Sequence, residues 1–289
     1  MPDITLAHPA DVVGWRTAAR RLLAHGVPPV SVTWTVAGAQ PALFTDDPAG
    51  TLPAEPPAAA TVRVPRRFVE LADLALCHSD PERFALLYGL LWRVNRGERE
   101  VLNDPGDPLV RRVESLERAV RREIHHMHAF VRFRQVETPE TGAEGGEDGP
   151  YVAWFEPAHH VVEAAAPFFV RRFTSMRWSI LTPLRCAHWD GMGDGQEVTF
   201  SPGVQRNAAP DGDALDDLWR TYYAATFNPA RVNPAVLQTN MPKRYWENLP
   251  EATLIPELVK GAADRTRRMV DAAPTAPSRI GQAVARLRG

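Results

Sequence analysis

Arg121-Arg122-Glu123-Ile124-His125-His126-Met127-His128-Ala129-Phe130-Val131-Arg132-Phe133-Arg134 joins a helical period to a strand-like one. Upstream of the junction, Leu109, Val113, Leu116, Val120, Ile124 and Met127 recur at three- and four-residue steps and so share one apolar helix face. Arg111, Arg118, Arg121, Arg122 and His125 fall on the opposite face. Phe130 to Val136 then reads as a strand that carries Arg132 and Arg134 on one side. The stretch predicts a helix that brings a cationic ridge up to a sheet, and hence an α+β fold.

Reading onward, Tyr151 to Glu156 is a second strand, paired with the first as a hairpin across the acidic, glycine-rich loop 137–150, which is expected to be disordered. Val161 to Phe173 has helical spacing, Trp178 to Thr182 is strand-like, and Ala187 to Trp189 with Glu197 to Phe200 forms another hairpin. This β-β-α-β-β order predicts an antiparallel or mixed sheet with a crossing helix. Upstream, Pro65 opens a helix to about Leu76, Ser79-Asp80-Pro81-Glu82 starts another, and Asp107-Pro108 starts the helix of the ridge. These helices form a layer over the sheet.

At the N-terminus, Ile4 to Ala7 is a short strand, Asp11 caps a helix bearing Val12, Trp15, Ala19, Leu22 and Leu23, and Val30 to Val36 alternates as a strand. The expected organisation is a β-α-β unit over 1–40, a linker over 41–61, a main α+β body over 62–270 and a flexible tail over 271–289. Asp213 caps a further helix with Leu215, Leu218, Trp219, Tyr222 and Tyr223, and prolines leave room only for short turns between Asn228 and Glu251.

A chain of 289 residues, 44% hydrophobic, supports a sizeable core. It has no run of about 18 apolar residues that would cross a membrane, and Met-Pro-Asp is not the basic opening of a secretory signal. A cytoplasmic protein is the expectation. Cys77 and Cys186, far apart in the chain, supply no four-thiolate metal or iron–sulfur site and read as buried thiols. With a formal net charge of −2, any affinity for nucleic acid must come from local clustering. Only two of the 33 basic residues are lysines, Lys243 and Lys260. Arginine's planar fork suits phosphate, although a GC-rich coding sequence also explains this balance.

The ridge of Arg118, Arg121 and Arg122, continued by Arg132 and Arg134, is the first candidate for phosphate contact. Glu114 and Glu117 lie four residues before Arg118 and Arg121, so ordinary helix ion pairs are the competing reading. Arg171 and Arg172 close the crossing helix, where cations also favour the helix dipole. Lys243, Arg244, Tyr245 and Trp246 interleave charge with aromatic rings, a pattern suited to single-stranded nucleic acid or to a docking tail.

Six of the nine histidines lie between 125 and 188. Of these, His125, His128, His159 and His188, with Asp190, are the candidates for acid–base roles or for holding a divalent metal. No H-E-x-x-H signature accompanies them. His126 projects nearly opposite His128 and is the least suited to converge with it. No cofactor is expected, a divalent metal being the one candidate. Phosphate-binding loops, dinucleotide fingerprints and the G-x-S-x-G elbow are all missing.

The segments Asp80-Pro81-Glu82-Arg83-Phe84-Ala85-Leu86-Leu87-Tyr88, Ile124 to Phe133, Ala153-Trp154-Phe155-Glu156-Pro157 with His159-His160, Phe169-Val170-Arg171-Arg172-Phe173, Trp178 to Pro183 and Met241-Pro242-Lys243-Arg244-Tyr245-Trp246 resemble a bacterial family of uncharacterised function. The resemblance spans nearly the whole chain. Members of that family occur beside a radical-SAM protein proposed to act in DNA modification or repair. Others are fused ahead of an X-type uracil-DNA glycosylase-like domain. The resemblance implies an accessory DNA-binding protein working with a radical-SAM or glycosylase-like partner on damaged or single-stranded DNA, without assigning catalytic residues. The glycosylase-like domain itself is not expected within this sequence, which carries no Gly-Glu-x-Pro-Gly motif and only two cysteines for that domain's iron–sulfur cluster. Two alternatives remain: a metal- or histidine-dependent enzyme acting on nucleic acid, and a protein-interaction module that touches no DNA.

Overall fold

A computed structural model of the chain describes residues 2–38, 63–136, 150–191, 197–209, 220, 224 and 240–271. The expected linker 41–61, most of the acidic loop 137–150, the tail from 272 and most of the helix expected after Asp213 lie outside the described residues. Contacts divide the chain into two units, Met1–Asp211 and Gly212–Gly289.

The first unit opens with β1 (Asp3–Leu6), α1 (Val12–Ala24) and β2 (Thr33–Val36), with the two strands paired in parallel. Asp11 fixes the start of α1, because Oδ1 accepts from Gly14 N at 2.7 Å while Oδ2 accepts from Ala7 N at 3.0 Å. β2 is shorter than the alternation predicts. Pro29–Ser31 form a 3₁₀ turn and Val30 is 86% exposed, since Pro28 and Pro29 supply no N–H to a ladder. Trp34 of β2 packs among Trp15, Phe84 and Tyr88, with ring centroids 5.8–6.3 Å apart.

Three helices follow, α2 (Arg66–Ala75), α3 (Arg83–Asn95) and α4 (Pro108–Phe130). Asp107 caps α4 through Oδ1, which accepts from Leu109 N and Val110 N at 2.9 and 3.0 Å, and Pro108 takes the first helical position. Leu22, Ala75, Leu87, Tyr88, Leu90 and Val113 all have 0% exposure and mark the centre of a core shared by the β-α-β unit and these helices.

The buried face of α4 is rotated from the one predicted. Val110, Val113, Leu116, Val120, Glu123, His126, Met127 and Phe130 are buried, while Ile124 is only half-buried. Glu123 goes inside because its Oε1 accepts the amide of Ala158 at 2.9 Å, a donor that an isoleucine would leave unsatisfied. α4 also runs on through Phe130, so the strand expected over Phe130 to Val136 shrinks to β3 (Arg134–Gln135).

β3, β4 (Tyr151–Trp154), β5 (Trp178–Leu181), β6 (Arg185–Trp189) and β7 (Thr199–Pro202) form one five-stranded sheet in that order. The sheet is mixed. β4 and β5 run parallel because α5 (Val162–Arg172) carries the chain back between them, and the other neighbours are antiparallel. Phe169 of α5 meets Trp178 at 6.1 Å and Phe133 at 6.0 Å, so α5 covers one sheet face with an aromatic seam. Cys77 and Cys186 are buried free thiols. No described helix is long and apolar enough to cross a membrane.

In the second unit, Lys243–Asn248 and Pro250–Leu254 form 3₁₀ turns ahead of α6 (Ile255–Lys260) and α7 (Ala262–Asp271).

Candidate nucleic-acid interface

Exposed positions on α4 recur at Arg111, Ser115, Arg118, Arg122, His125 and Ala129, alternating steps of four and three, so they form one stripe opposite the buried face. At 1.5 Å per residue the interval from Arg111 to His125 is about 21 Å. Arg118 Nη1 lies 3.5 Å from Glu114 Oε2, and Glu114 also receives Arg67 at 3.1 Å. Arg121, on the flank of the stripe, is held by Glu117. Among the described residues no carboxylate pairs with Arg111 or Arg122.

At the end of the stripe, Arg132 folds back and donates from Nη1 to the carbonyls of Ala129 and Val131, at 2.7 and 3.2 Å. It therefore closes the C-terminus of α4, where a cation meets the negative end of the helix. Arg134 sits half-buried on β3. Exposed Arg171 and Arg172 terminate α5, with the Arg172 guanidinium 5.6 Å from the centre of the Phe173 ring.

His128 joins the two helices. Its ring stacks on Phe168 at 4.1 Å and Nε2 lies 3.3 Å from Ala165 O. Burial lowers its pKa, opposed by the Ala165 hydrogen bond, and the nearby charges of His125 and Arg171 lower it further. His125 on the stripe and Arg171 at the end of α5 thus both lie close enough to act on the His128 ring.

The candidate histidines sit in separate settings. His125 is exposed on the stripe, and His126 is buried, 3.8 Å from Glu123 and stacked on Phe130. His159 Nδ1 faces Ser79 N and Oγ at 3.3 and 3.0 Å, and its ring lies 4.0 Å from that of His78. His188, on β6, bridges Ser179 Oγ at 2.9 Å and Ser201 Oγ at 2.8 Å, beside exposed Asp190. Among the described residues no group of three or more His, Cys, Asp or Glu side chains is arranged to hold a metal ion.

Tyr245, one of the aromatic rings expected to suit single-stranded nucleic acid, is 1% exposed, and its hydroxyl takes a hydrogen bond from Arg244. Its ring is therefore committed to the interior. Trp246 is half-buried and donates to Met241 O at 3.1 Å, which leaves Lys243 and Arg244 as the exposed cations of that turn.

A second feature went unread in the sequence because its members come from distant segments. The lead-in to α3 meets the lead-in to α5 where His160 N donates to Cys77 O at 2.8 Å and Asp80 N donates to His78 Nδ1 at 2.9 Å. Arg83, 3% exposed, sends its guanidinium to Leu76 O, Asp80 O and Pro9 O at 2.8, 2.8 and 2.6 Å. Its pKa is lowered to about 10 by burial, so it stays charged at neutral pH. The one sequence signal was an arginine at the first turn of an apolar helix.

Burial also drives the pKa of His160 down to about 4, reinforced by Arg83, His159, His78 and His8. For His78, burial and His159 do the same, with Arg83 and Arg112 adding to the effect and Asp80 opposing it. The unfolded chain takes up these protons near the ordinary histidine value of 6.5, and the folded chain only near 4. Stability is therefore complete above about 6.5 and falls as the pH drops towards 4. Thermal unfolding across that window should show a declining Tm, and H160Q should flatten the decline. A Tm unchanged from neutral pH to 4 would contradict neutral burial of these rings.

No curated protein and no solved structure matches the chain. A family model does match, over residues 81–251, a segment that takes in α3, the cationic stripe, α5 and the whole five-stranded sheet. The chain thus belongs to the family described as a domain of unknown function, DUF4130.

Proposed function

We propose that this protein is an accessory DNA-binding protein of DNA repair or modification that grips the phosphate backbone. The observation that supports this reading is the exposed α4 stripe of Arg111, Arg118, Arg122 and His125, prolonged by Arg171 and Arg172 at the end of α5. In a chain of net charge −2, the exposed guanidinium groups of Arg111, Arg122, Arg171 and Arg172, which pair with no carboxylate among the described residues, favour a polyanion. About 21 Å of helix spans roughly six base-pair steps of a duplex at 3.4 Å of rise each. Arg118 and Arg121 already hold carboxylates and contribute less.

The repair setting and the radical-SAM or uracil-DNA glycosylase-like partner rest on the family resemblance carried by Ile124 to Phe133 and Phe169 to Phe173. An enzyme built on the histidines has less support, since His128, His159 and His188 are each engaged in a different local contact.

Fluorescence anisotropy with labelled single-stranded and duplex oligonucleotides at low salt tests the reading. The expected result is saturable binding of at least one form, with little dependence on sequence. Absence of binding to either form would overturn it.

A further inference from the structure

A cleft of about 420 Å³ lies at the opposite end of α5 from Arg171 and Arg172. It is formed where the loop after β1 meets the start of α5 and the turns flanking β6 and β7. Its polar wall is His8, His160, Glu163 and Arg185, and its apolar wall includes Phe200. Arg185 Nε lies 2.6 Å from Glu163 Oε1, and His8 Nδ1 lies 3.8 Å from the same oxygen. All three atoms are buried yet make no well-directed hydrogen bond, so the Arg185–Glu163 ion pair and the His8 ring do not form a satisfied network. Polar groups left in that state are costly and gather at binding sites. The Arg185 guanidinium also lies 5.5 Å from the centre of the Phe200 ring.

The ligand class follows from the wall. A simple anion would meet Glu163, and a simple cation would meet Arg185. A flat, neutral heterocycle carrying both donors and acceptors on its edges suits both, with Phe200 offering an aromatic surface. Among nucleobases, guanine presents adjacent N–H donors for a carboxylate, and O6 and N7 acceptors for a guanidinium. We infer that this cleft is a binding site for a guanine base, read by Glu163 and Arg185. His160, held neutral, keeps one donor and one acceptor available beside them. The inference rests on the DNA-binding reading only for the source of the base.

Calorimetric titration of the intact protein with guanosine, adenosine, cytidine and thymidine tests it. Guanosine should bind about tenfold or more tightly than the others, as expected for a bidentate contact. E163Q should remove that preference. If E163Q unfolds, A37W narrows the cleft from the exposed position Ala37 without touching the ion pair, and should abolish guanosine binding. Equal affinity for all four nucleosides, no heat with any of them, or unchanged guanosine binding by A37W would overturn the inference while leaving the stripe untouched. An oligonucleotide with an unpaired guanine should compete with guanosine. Failure to compete would overturn DNA as the source of the base.

Discussion

Replacing Arg83 with methionine is expected to destabilise the fold by about 3–5 kcal/mol, although the residue lies on no proposed binding surface. Its side chain is buried, and its three hydrogen bonds tie Pro9 to the connection between α2 and α3, at Leu76 and Asp80. Hydrogen bonds from a charged donor contribute about 1.5–3 kcal/mol each, and removing the guanidinium leaves the acceptors facing apolar surface. Part of that loss is offset because the variant no longer buries a charge. Lysine is no remedy, since one ammonium cannot span three divergent carbonyls as the planar fork does. Urea unfolding of R83M and R83K measures the effect, and a loss below about 1 kcal/mol would show that water replaces the guanidinium at little cost.

Reversing Arg122 and Arg171 to glutamate should weaken DNA binding by about tenfold for each change and about a hundredfold for the pair. Both side chains are exposed and neither holds a carboxylate among the described residues, so each change removes an attraction and adds a repulsion. Arg121→Glu is the internal control. Its guanidinium is already neutralised by Glu117, so its loss should cost only a few-fold. Stability should move by less than about 1 kcal/mol for Arg122, while Arg171→Glu also forfeits a favourable helix-end charge. Circular dichroism separates that small effect from lost binding. Equal effects of Arg121 and Arg122 would mean that bulk charge, and not the stripe, sets affinity.

How far the sequence foretold this molecule varies by element. Asp11 and Asp107 announced α1 and α4 through capping chemistry that is entirely local, and both caps form as expected. Val161 to Phe173 and Trp178 to Thr182 were legible because their periods, 3.6 and 2, are set by covalent geometry. The strand, crossing helix and strand were legible in succession, but the expectation of an antiparallel or mixed sheet left open the parallel β4–β5 pairing that this order produces.

The buried face of α4 was misread because an apolar count favours Ile124. Glu123 is drawn inside by the Ala158 amide, a partner 35 residues away. The junction of Arg83, His78 and His160, and the cleft of Glu163 and Arg185, were invisible for the same reason: their members meet only when the β-α-β unit, the helices and the sheet have assembled. On the interface, the α4 stripe was visible as a pattern. Its ion pairs at Glu114 and Glu117 were anticipated, while its extension to Arg171 depends on α4 and α5 packing through His128.

The most direct test of phosphate gripping by the stripe is the slope of log affinity against log salt, measured on duplex DNA between about 50 and 200 mM. Four to six phosphate contacts predict a slope of roughly −4 to −5, shallower by about 2 in the Arg122→Glu, Arg171→Glu protein. A slope near zero, or one that is the same in both proteins, would contradict phosphate contact by these side chains.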